Sequence, residues 1–268
     1  MPYFRARRLS LPIAIFAAAV AAGCSSVGVS GHAGYAFLDV GGGVGLDSAG
    51  AGVVEQGLES NFGVGGTQGS PYLRGQLDAG GTVLTGSAFW LSESGQGQLG
   101  DTFGGLPAGN VVVSELELGV AKISAAYDFE FGPVKLAPGV MCDVVAIDFR
   151  TTDAVSLPGV GLSESVDETL VVPMPFLRAE LATIGSPIGA FRAVGELGYL
   201  EVSDIGGTGG SFFDFEAMVE YSPALLPFAH AFMGYRYVDL DGSGDTGGDP
   251  FSADLQLQGW TIGGGVRF

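Results

Sequence analysis

Hydrophobic and polar residues alternate with a period of two along most of this chain, and helical periodicity is nearly absent. The clearest segment is 213–221, where every odd residue is apolar or aromatic and three of the four even residues are acidic. Clusters of Gly, Pro, Asp and Ser separate such segments, as they separate strands. The pattern predicts an all-β protein with ten strands, near 33–44, 70–79, 82–92, 111–130, 134–150, 172–184, 190–203, 211–222, 227–239 and 255–268.

The connections between these predicted strands alternate between long and short. In order they contain 25, 2, 18, 3, 21, 5, 7, 4 and 15 residues. Tight turns at one end and longer loops at the other are typical of a closed antiparallel transmembrane β-barrel. Closure also pairs every backbone N–H and C=O group, which hydrocarbon requires. Ten strands place both termini at one end, whereas an eight-stranded barrel follows if the first strand fails, because Tyr35 and Phe37 share a face with Asp39.

Alternation assigns charged residues to the interior of the predicted barrel. An Arg on the lipid face near the middle of the bilayer costs about 2–4 kcal/mol, so charged residues that share one face should face inward and pair across strands. Segment 114–130 does not fit one phase, since Glu115 and Glu117 are odd whereas Lys122 and Ser124 are even. A bulge near Gly119 and Val120 would reconcile the two parts. The predicted lumen charges are Arg74, Arg178, Glu180, Arg192, Glu196, Asp214, Glu216, Glu220 and Arg236.

Composition supports a membrane protein without transmembrane helices. Of the 268 residues, 47% are hydrophobic and 15% charged, with a mean hydropathy of +0.38. This is too apolar for a disordered chain. Past Cys24, however, no stretch longer than 15 residues lacks Asp, Glu, Lys and Arg, whereas a membrane-spanning helix needs about 20 apolar residues.

The first 24 residues have the three parts of a secretory signal peptide. Three arginines precede an apolar stretch at 11–20, and Ala21-Ala22-Gly23-Cys24 follows. This last segment resembles the lipobox of bacterial lipoproteins, which implies acylation of Cys24, and Ser25 implies sorting to the outer membrane. An ordinary signal peptide cut nearby is the alternative. The predicted divisions are a signal peptide at 1–23, an anchor segment at 24–32 and a barrel at 33–268.

Charge and cysteine content narrow the possible partners. Removal of residues 1–23 leaves eight basic and 29 acidic residues, a formal charge of −21. A chain this acidic lacks the cationic surface that nucleic-acid binding needs. With Cys24 acylated, Cys142 is the one remaining thiol, so no disulfide within the chain is expected.

The last residues resemble the C-terminal signal of bacterial outer-membrane barrels. Thr261, Gly263, Val266 and the terminal aromatic Phe268 match its polar, glycine and apolar positions. The resemblance implies that the barrel-assembly machinery reads the last strand. Segments 71–77, 214–221 and 234–241 also look like stretches of small outer-membrane barrels of Gram-negative bacteria. That resemblance implies an outer-membrane location with both termini in the periplasm, and it implies no activity.

The function expected from these features is a structural or surface-interaction role in the cell envelope, with outer-membrane lipid as the partner and the oligomeric state open. A narrow cation-preferring pore is the alternative, since Asp143 adds to an excess of lumen carboxylates over arginines. The third possibility is an enzyme, because omptin-type proteases are also ten-stranded barrels. His32 and His230 are the two histidines, and neither stands in a recognisable catalytic motif, so no catalytic residue is expected.

One loop has a partial metal-binding pattern. Residues 239–249 open like a calcium loop, with Asp239 and Asp241 followed by Ser243 and Gly244. Pro250 stands where the bidentate Glu belongs. The prediction is a solvated hairpin loop with no metal, and no cofactor is expected.

Overall fold

The protein forms a single closed antiparallel sheet. The structure is a computed structural model, and it describes residues 27–47, 50, 52–154, 162–205, 208–246 and 248–268. The predicted signal peptide and Cys24 lie outside the described residues. Among the residues it describes, no helix has the length and apolar character needed to cross a membrane.

Ten long strands form the wall of the barrel, and two short strands lie beside them. Each long strand pairs with its neighbours in the chain, and the last pairs with the first from Ser30–Arg267 to Leu46–Phe251, which closes the sheet. The long strands are β1 (Val27–Leu46), β3 (Gly66–Ala79), β4 (Thr82–Gln98), β5 (Val111–Tyr127), β7 (Val134–Asp153), β8 (Ser163–Ser186), β9 (Gly189–Ile205), β10 (Thr208–Pro223), β11 (Ala229–Thr246) and β12 (Asp249–Arg267). The short strands are β2 (Gln56–Gly57) and β6 (Phe129–Phe131), and a π-helix spans Leu58–Phe62.

The ten predicted strands and the closure are confirmed, and the eight-stranded alternative is wrong. The first strand, the least certain from the sequence, pairs with β12 on one side and with β3 on the other. The predicted bulge near Gly119 is also wrong. Strand β5 pairs with β4 and with β7 in one unbroken register across this position.

The two faces of each strand exchange polarity along its length. We call the half of the barrel that contains Val27 and Phe268 the termini half, and the other the loop half. In the termini half of β5, Ile123 faces outward and Lys122 inward. In the loop half of the same strand, Glu117 faces outward and Leu116 inward. The alternation of inward and outward residues therefore continues unbroken along the whole strand. What differs between the two halves is the polarity of the outward residues. On β1, the outward residues likewise change from the aromatic Phe37 to the acidic Asp39 toward the loop half.

The strands are longer than predicted at the loop end. Strand β11 continues to Thr246 and strand β12 begins at Asp249, so most of the predicted loop at 240–254 is paired strand. The calcium-like segment is part of this hairpin: Asp239 and Asp241 lie on the outer face, and Leu240 between them is buried inside. The segment is therefore extended, paired strand rather than the predicted solvated loop.

An apolar core fills the loop half. Two connecting segments, 56–64 and 99–106, contribute buried residues to it. Phe62 and Phe103 contact Phe149 of β7, with ring centroids 4.8–5.8 Å apart. The backbone between these segments is held by Gln56, which donates to the carbonyls of Asp101 and Thr102 and accepts from Gly100 N–H. The loop end of the barrel is therefore plugged by packed side chains.

Candidate functional site in the barrel interior

The interior of the termini half is filled by acidic and basic side chains, which we call the interior charge network. Alternation within eight strands of one closed sheet turns these side chains to the same side. Six carboxylates lie among six cations, so the excess of negative charge expected from the sequence is absent from this set. Its members are Arg74, Lys122, Asp143, Arg178, Glu180, Arg192, Glu196, Asp214, Glu216, Glu220, Arg236 and Arg267.

Two glutamates form the centre of this network. Glu196 and Glu216 are directly opposite each other on β9 and β10, an arrangement of like charges that would be unfavourable alone. The Nζ atom of Lys122 lies 3.0 Å from Glu196 and 2.7 Å from Glu216. Arg74 binds both carboxylates as well, and Tyr72 donates to Glu216. Two cations from β3 and β5 therefore neutralise the pair.

Further arginines connect this centre to the rest of the interior. Arg178 donates to Glu196 at 3.0 Å and to Glu180 at 2.8 Å. Arg236 donates to Asp214 at 2.5 Å, and its guanidinium lies over the ring of Phe89 at 5.2 Å. Burial of ion pairs on this scale is tolerated only where each charge has partners. The ion pairs and hydrogen bonds of the network therefore connect side chains from both sides of the barrel interior.

The nine lumen charges predicted from the sequence all lie on the inner face, and eight of them are buried. Glu180 is the exception, with a side chain 13% exposed. Sequence reasoning missed Lys122 and Arg267 as members of the network. The even position of Lys122 on β5 was a signal that it faces inward. The predicted bulge, however, placed Glu115 and Glu117 inside as well, whereas both face outward.

The two histidines, which appear isolated in the sequence, lie together at the termini end. Strand β12 runs between β1 and β11, and Gly265 is the register partner of both His32 and His230. The two rings meet above this glycine with centroids 4.5 Å apart. His32 Nε2 lies 3.0 Å from Glu220 Oε1 on β10, and both histidines are 4% exposed. The fold thus brings both histidines together with a carboxylate, although neither stands in a recognisable motif of the sequence.

Two arginines hold Glu220 from its other side. Arg267 donates to Oε2, and Arg192 reaches both carboxylate oxygens at 3.3 and 3.4 Å. Phe232 packs edge-on against the His32 ring at 5.3 Å. The carboxylate is therefore fixed in position by ion pairs, and the ring of His32 by packing.

A cavity of about 380 Å³ opens beside this cluster at the termini end. Glu180 and Arg192 form its inner wall, and Asp78, Asp128 and Lys135 contribute to its rim. Partial burial raises the pKa of Asp128, which lies between β5 and β6. Water and small ions can thus approach the interior from this end.

The residues of the predicted assembly signal lie on β12 and at the residue that follows it. Thr261 is buried on the inner face, whereas Val266 and Phe268 are exposed on the outer face. The backbone of Phe268 forms two hydrogen bonds with Val29, at 2.8 and 2.9 Å. Gly263 is packed so closely against β1 that an added Cβ would overlap the backbone of Gly34. The final strand is therefore part of the closing seam.

No protein-family model and no curated protein matches the chain. Among solved structures, it is similar to the outer membrane protease OmpT from Escherichia coli, with 10% identity over 90% of this chain and 96% of that one, and a TM-score of 0.48. The translocator domain of autotransporter NalP from Neisseria meningitidis has 13% identity over 96% and 93%, with a TM-score of 0.43. The attachment invasion locus protein Ail of Yersinia pestis has 11% identity over 91% and 99%, with a TM-score of 0.33. These values assign no function.

Proposed function

We propose that this protein spans the bacterial outer membrane as a sealed β-barrel with a structural or surface-interaction role in the cell envelope. The proposed role is not enzymatic, because five of the six carboxylates of the interior charge network, all except Asp143, form ion pairs with cations. Outer-membrane lipid is the proposed partner of its wall, and the barrel-assembly machinery that of its last strand. An acyl group on Cys24, close to the start of β1, would anchor the chain at the termini end.

The observation that carries this proposal is an uncharged outer band around the termini half. Among the described side chains, the outward residues of this half are apolar, aromatic, Gly, Ala, Pro or Cys, as in Ile123, Val140 and Leu177, except for the uncharged Thr82 and Ser186 beside the turns at the termini end. Toward the loop end, each strand has one residue at which its outward side chains change from apolar to polar. These residues are Asp39, Thr67, Ser92, Glu117, Asp148, Thr169, Glu201, Ser211, Asp239 and Gln258.

Aromatic side chains stand at both edges of this band. Exposed aromatics at the edge toward the loop half include Phe37, Trp90, Tyr199 and Trp260, and those at the termini edge include Tyr127, Phe131, Phe191 and Phe268. Aromatic girdles at the two lipid–water interfaces are a general feature of outer-membrane barrels. The segments between them, such as 191–199 and 213–221, have the 9–11 residues that a tilted strand needs to cross hydrocarbon.

The interior favours a scaffold over the alternative of a narrow pore. The charge network occupies the termini half, and the apolar core occupies the loop half. Barrels of this size are commonly filled by side chains. We therefore expect the purified mature protein to give no ion-selective conductance steps in planar lipid bilayers. Reproducible cation-selective steps that a charge substitution such as Arg74→Gln alters would instead establish the pore.

The proposed orientation has the termini in the periplasm, because the three longest connections, 47–65, 99–110 and 154–162, all lie at the opposite end and such barrels keep their longer loops outside. It can be tested on intact cells with a membrane-impermeant maleimide, in a Cys142→Ala background. We expect labelling of Ser94→Cys, in the loop half, and no labelling of Leu225→Cys, in the turn between β10 and β11. The reverse pattern would show the opposite orientation.

A further inference from the structure

We propose that His32, Glu220 and His230 form a binding site for a first-row transition-metal dication of the zinc class. The site lies at the termini end of the interior, and it joins β1, β10 and β11. This inference does not depend on the structural role proposed above. It rests on which donor atoms meet, on the strand that lies beneath them and on the polar atoms left without partners.

The donor set and its spacing suit such an ion. Two imidazoles and one carboxylate are a known zinc-ligand set that leaves a further coordination position open. One ligand atom from each residue can be chosen so that all three lie within 4.8 Å of one another. Nε2 of His32 and Oε1 of Glu220 are already 3.0 Å apart. Ligand atoms around a tetrahedral zinc ion at about 2.0–2.1 Å stand roughly 3.3 Å apart, so only His230 must turn toward the other two.

The backbone beneath the rings is built to admit them. Gly265 separates His32 from His230 in the sheet, and both strands pair with it directly. A Cβ at Gly265 would come within 3 Å of the His230 ring, at both Nε2 and Cε1, and within 3 Å of the backbone carbonyl oxygen of Gly31. The adjacent Gly264 faces outward, and a Cβ there would make only an ordinary contact, 3.6 Å from the carbonyl oxygen of His230. Glycine at position 265 is what allows the two rings to meet.

The histidine nitrogens have unused binding capacity. Among the residues the structure describes, neither ring nitrogen of His230 has a hydrogen-bond partner, and nor does Nδ1 of His32. Each buried polar atom without a partner lowers stability, whereas a neutral imidazole nitrogen is a strong ligand for zinc-class ions. Coordination through Nε2 of His32 places that ring's proton on Nδ1, where it no longer competes with the ion.

The surroundings orient the carboxylate without saturating it. Arg267 holds Oε2 of Glu220, and the two contacts from Arg192 are long, at 3.3 and 3.4 Å. In metal sites, hydrogen-bond donors commonly contact the carboxylate oxygen that does not bind the metal, and they fix the orientation of the carboxylate. The cavity at the termini end reaches Arg192, which in turn contacts Glu220, so the site lies one side chain away from the solvent-open cavity. Two of the ligand strands flank β12, so the ion would fasten the seam where the barrel closes.

The direct test is zinc binding to the refolded, tag-free full-length chain, stripped of metal with a chelator. We expect one zinc per chain by titration calorimetry and the visible absorption of a tetrahedral site when Co²⁺ replaces zinc. Zinc at about 100 times its dissociation constant should raise the melting temperature by roughly 5–10 °C. Failure of wild-type protein to bind one equivalent would overturn the proposal.

Matched variants separate this site from binding elsewhere on an acidic chain. His230→Gln and Gly265→Ala should weaken zinc binding at least tenfold, whereas Gly264→Ala, one residue away on the same strand, should bind as wild type does. Folding of every variant is checked by its shift in electrophoretic mobility on heating. If Gly265→Ala does not fold, His230→Gln and the wild-type Co²⁺ spectrum decide the matter. Unchanged binding in His230→Gln would also overturn the proposal.

Discussion

Lys122 is the side chain on which the interior charge network depends most. Its ammonium group lies within 4 Å of Glu196, Asp214 and Glu216, which come from two adjacent strands. It is fully buried, so no solvent would replace it. Removal of one partner from a buried ionic cluster lowers the stability of the fold by more than the cluster itself contributes. The reason is that the remaining charges stay in the interior without compensation.

We therefore expect Lys122→Met to destabilise the folded barrel by about 3–5 kcal/mol. Methionine keeps a similar length and apolar stem but leaves Glu196 and Glu216 with fewer cations. The measurement is the free energy of unfolding from urea titration in lipid vesicles.

Asp143→Asn provides the matched control, because Asp143 is the register partner of Lys122 and lies beside Asp214. Among the described residues, neither of its carboxylate oxygens accepts a hydrogen bond. Loss of its charge removes the repulsion from Asp214 together with the attraction to Lys122 and Arg236, so we expect a much smaller change in stability than for Lys122→Met. Equal destabilisation by both substitutions would show that the site responds to any change in packing and not to charge.

At the scale of residues, period-2 alternation was enough to place nine charges inside the barrel. It could not bring His32 next to His230 and Glu220, which are separated from it by most of the chain. Their meeting depends on the register of β1 with β12 and of β12 with β11. That register is a property of closure, and no local pattern encodes it.

Strand β5 shows how one element can pass through two environments without changing phase. Its outward side chains are Ile123 and Tyr127 in the termini half, and Glu115 and Glu117 in the loop half. Alternation identifies which residues share a face, but not whether lipid or water lies against that face. The predicted bulge arose from the assumption that every acidic residue faces inward.

A pair of arginine substitutions on this face tests the change of environment. Ile123→Arg should destabilise the barrel in lipid by about 2–4 kcal/mol, as expected for a cation deep in hydrocarbon. Glu117→Arg, six residues away on the same strand and face, should have little effect or stabilise, since Glu117 is directly opposite Asp148. Both are measured by urea unfolding in vesicles. Similar costs at the two positions would contradict a lipid boundary between them.

The hairpin of β11 and β12 shows why loop lengths were overestimated. Its polar residues, such as Asp239, Ser243 and Gly244, are typical of loops, yet they continue the paired strands. In the loop half, the strands have a polar outer face and an apolar inner one. Asp241 and Leu240 show this arrangement, which is the reverse of the pattern in the termini half.

The whole molecule combines two cores of opposite character in one continuous sheet. The termini half has an uncharged outside and a charged inside, and the loop half has an apolar inside with many polar residues outside. Strand number, closure and the shared end of the termini followed from alternation and connection lengths. The plug at the loop end did not, because it depends on connecting segments that fold back onto the core, such as the one containing Phe103.

The two tryptophans of the chain allow the most direct test of the membrane-spanning claim. Trp90 and Trp260 are the only tryptophans, and both are more than half exposed at the loop-side edge of the uncharged band. In vesicles, their fluorescence should be quenched by brominated lipids, most strongly when bromine lies near the headgroups. Blue-shifted emission with that depth profile is the predicted result. Emission typical of water, with full quenching by aqueous iodide and none by any brominated lipid, would contradict the account.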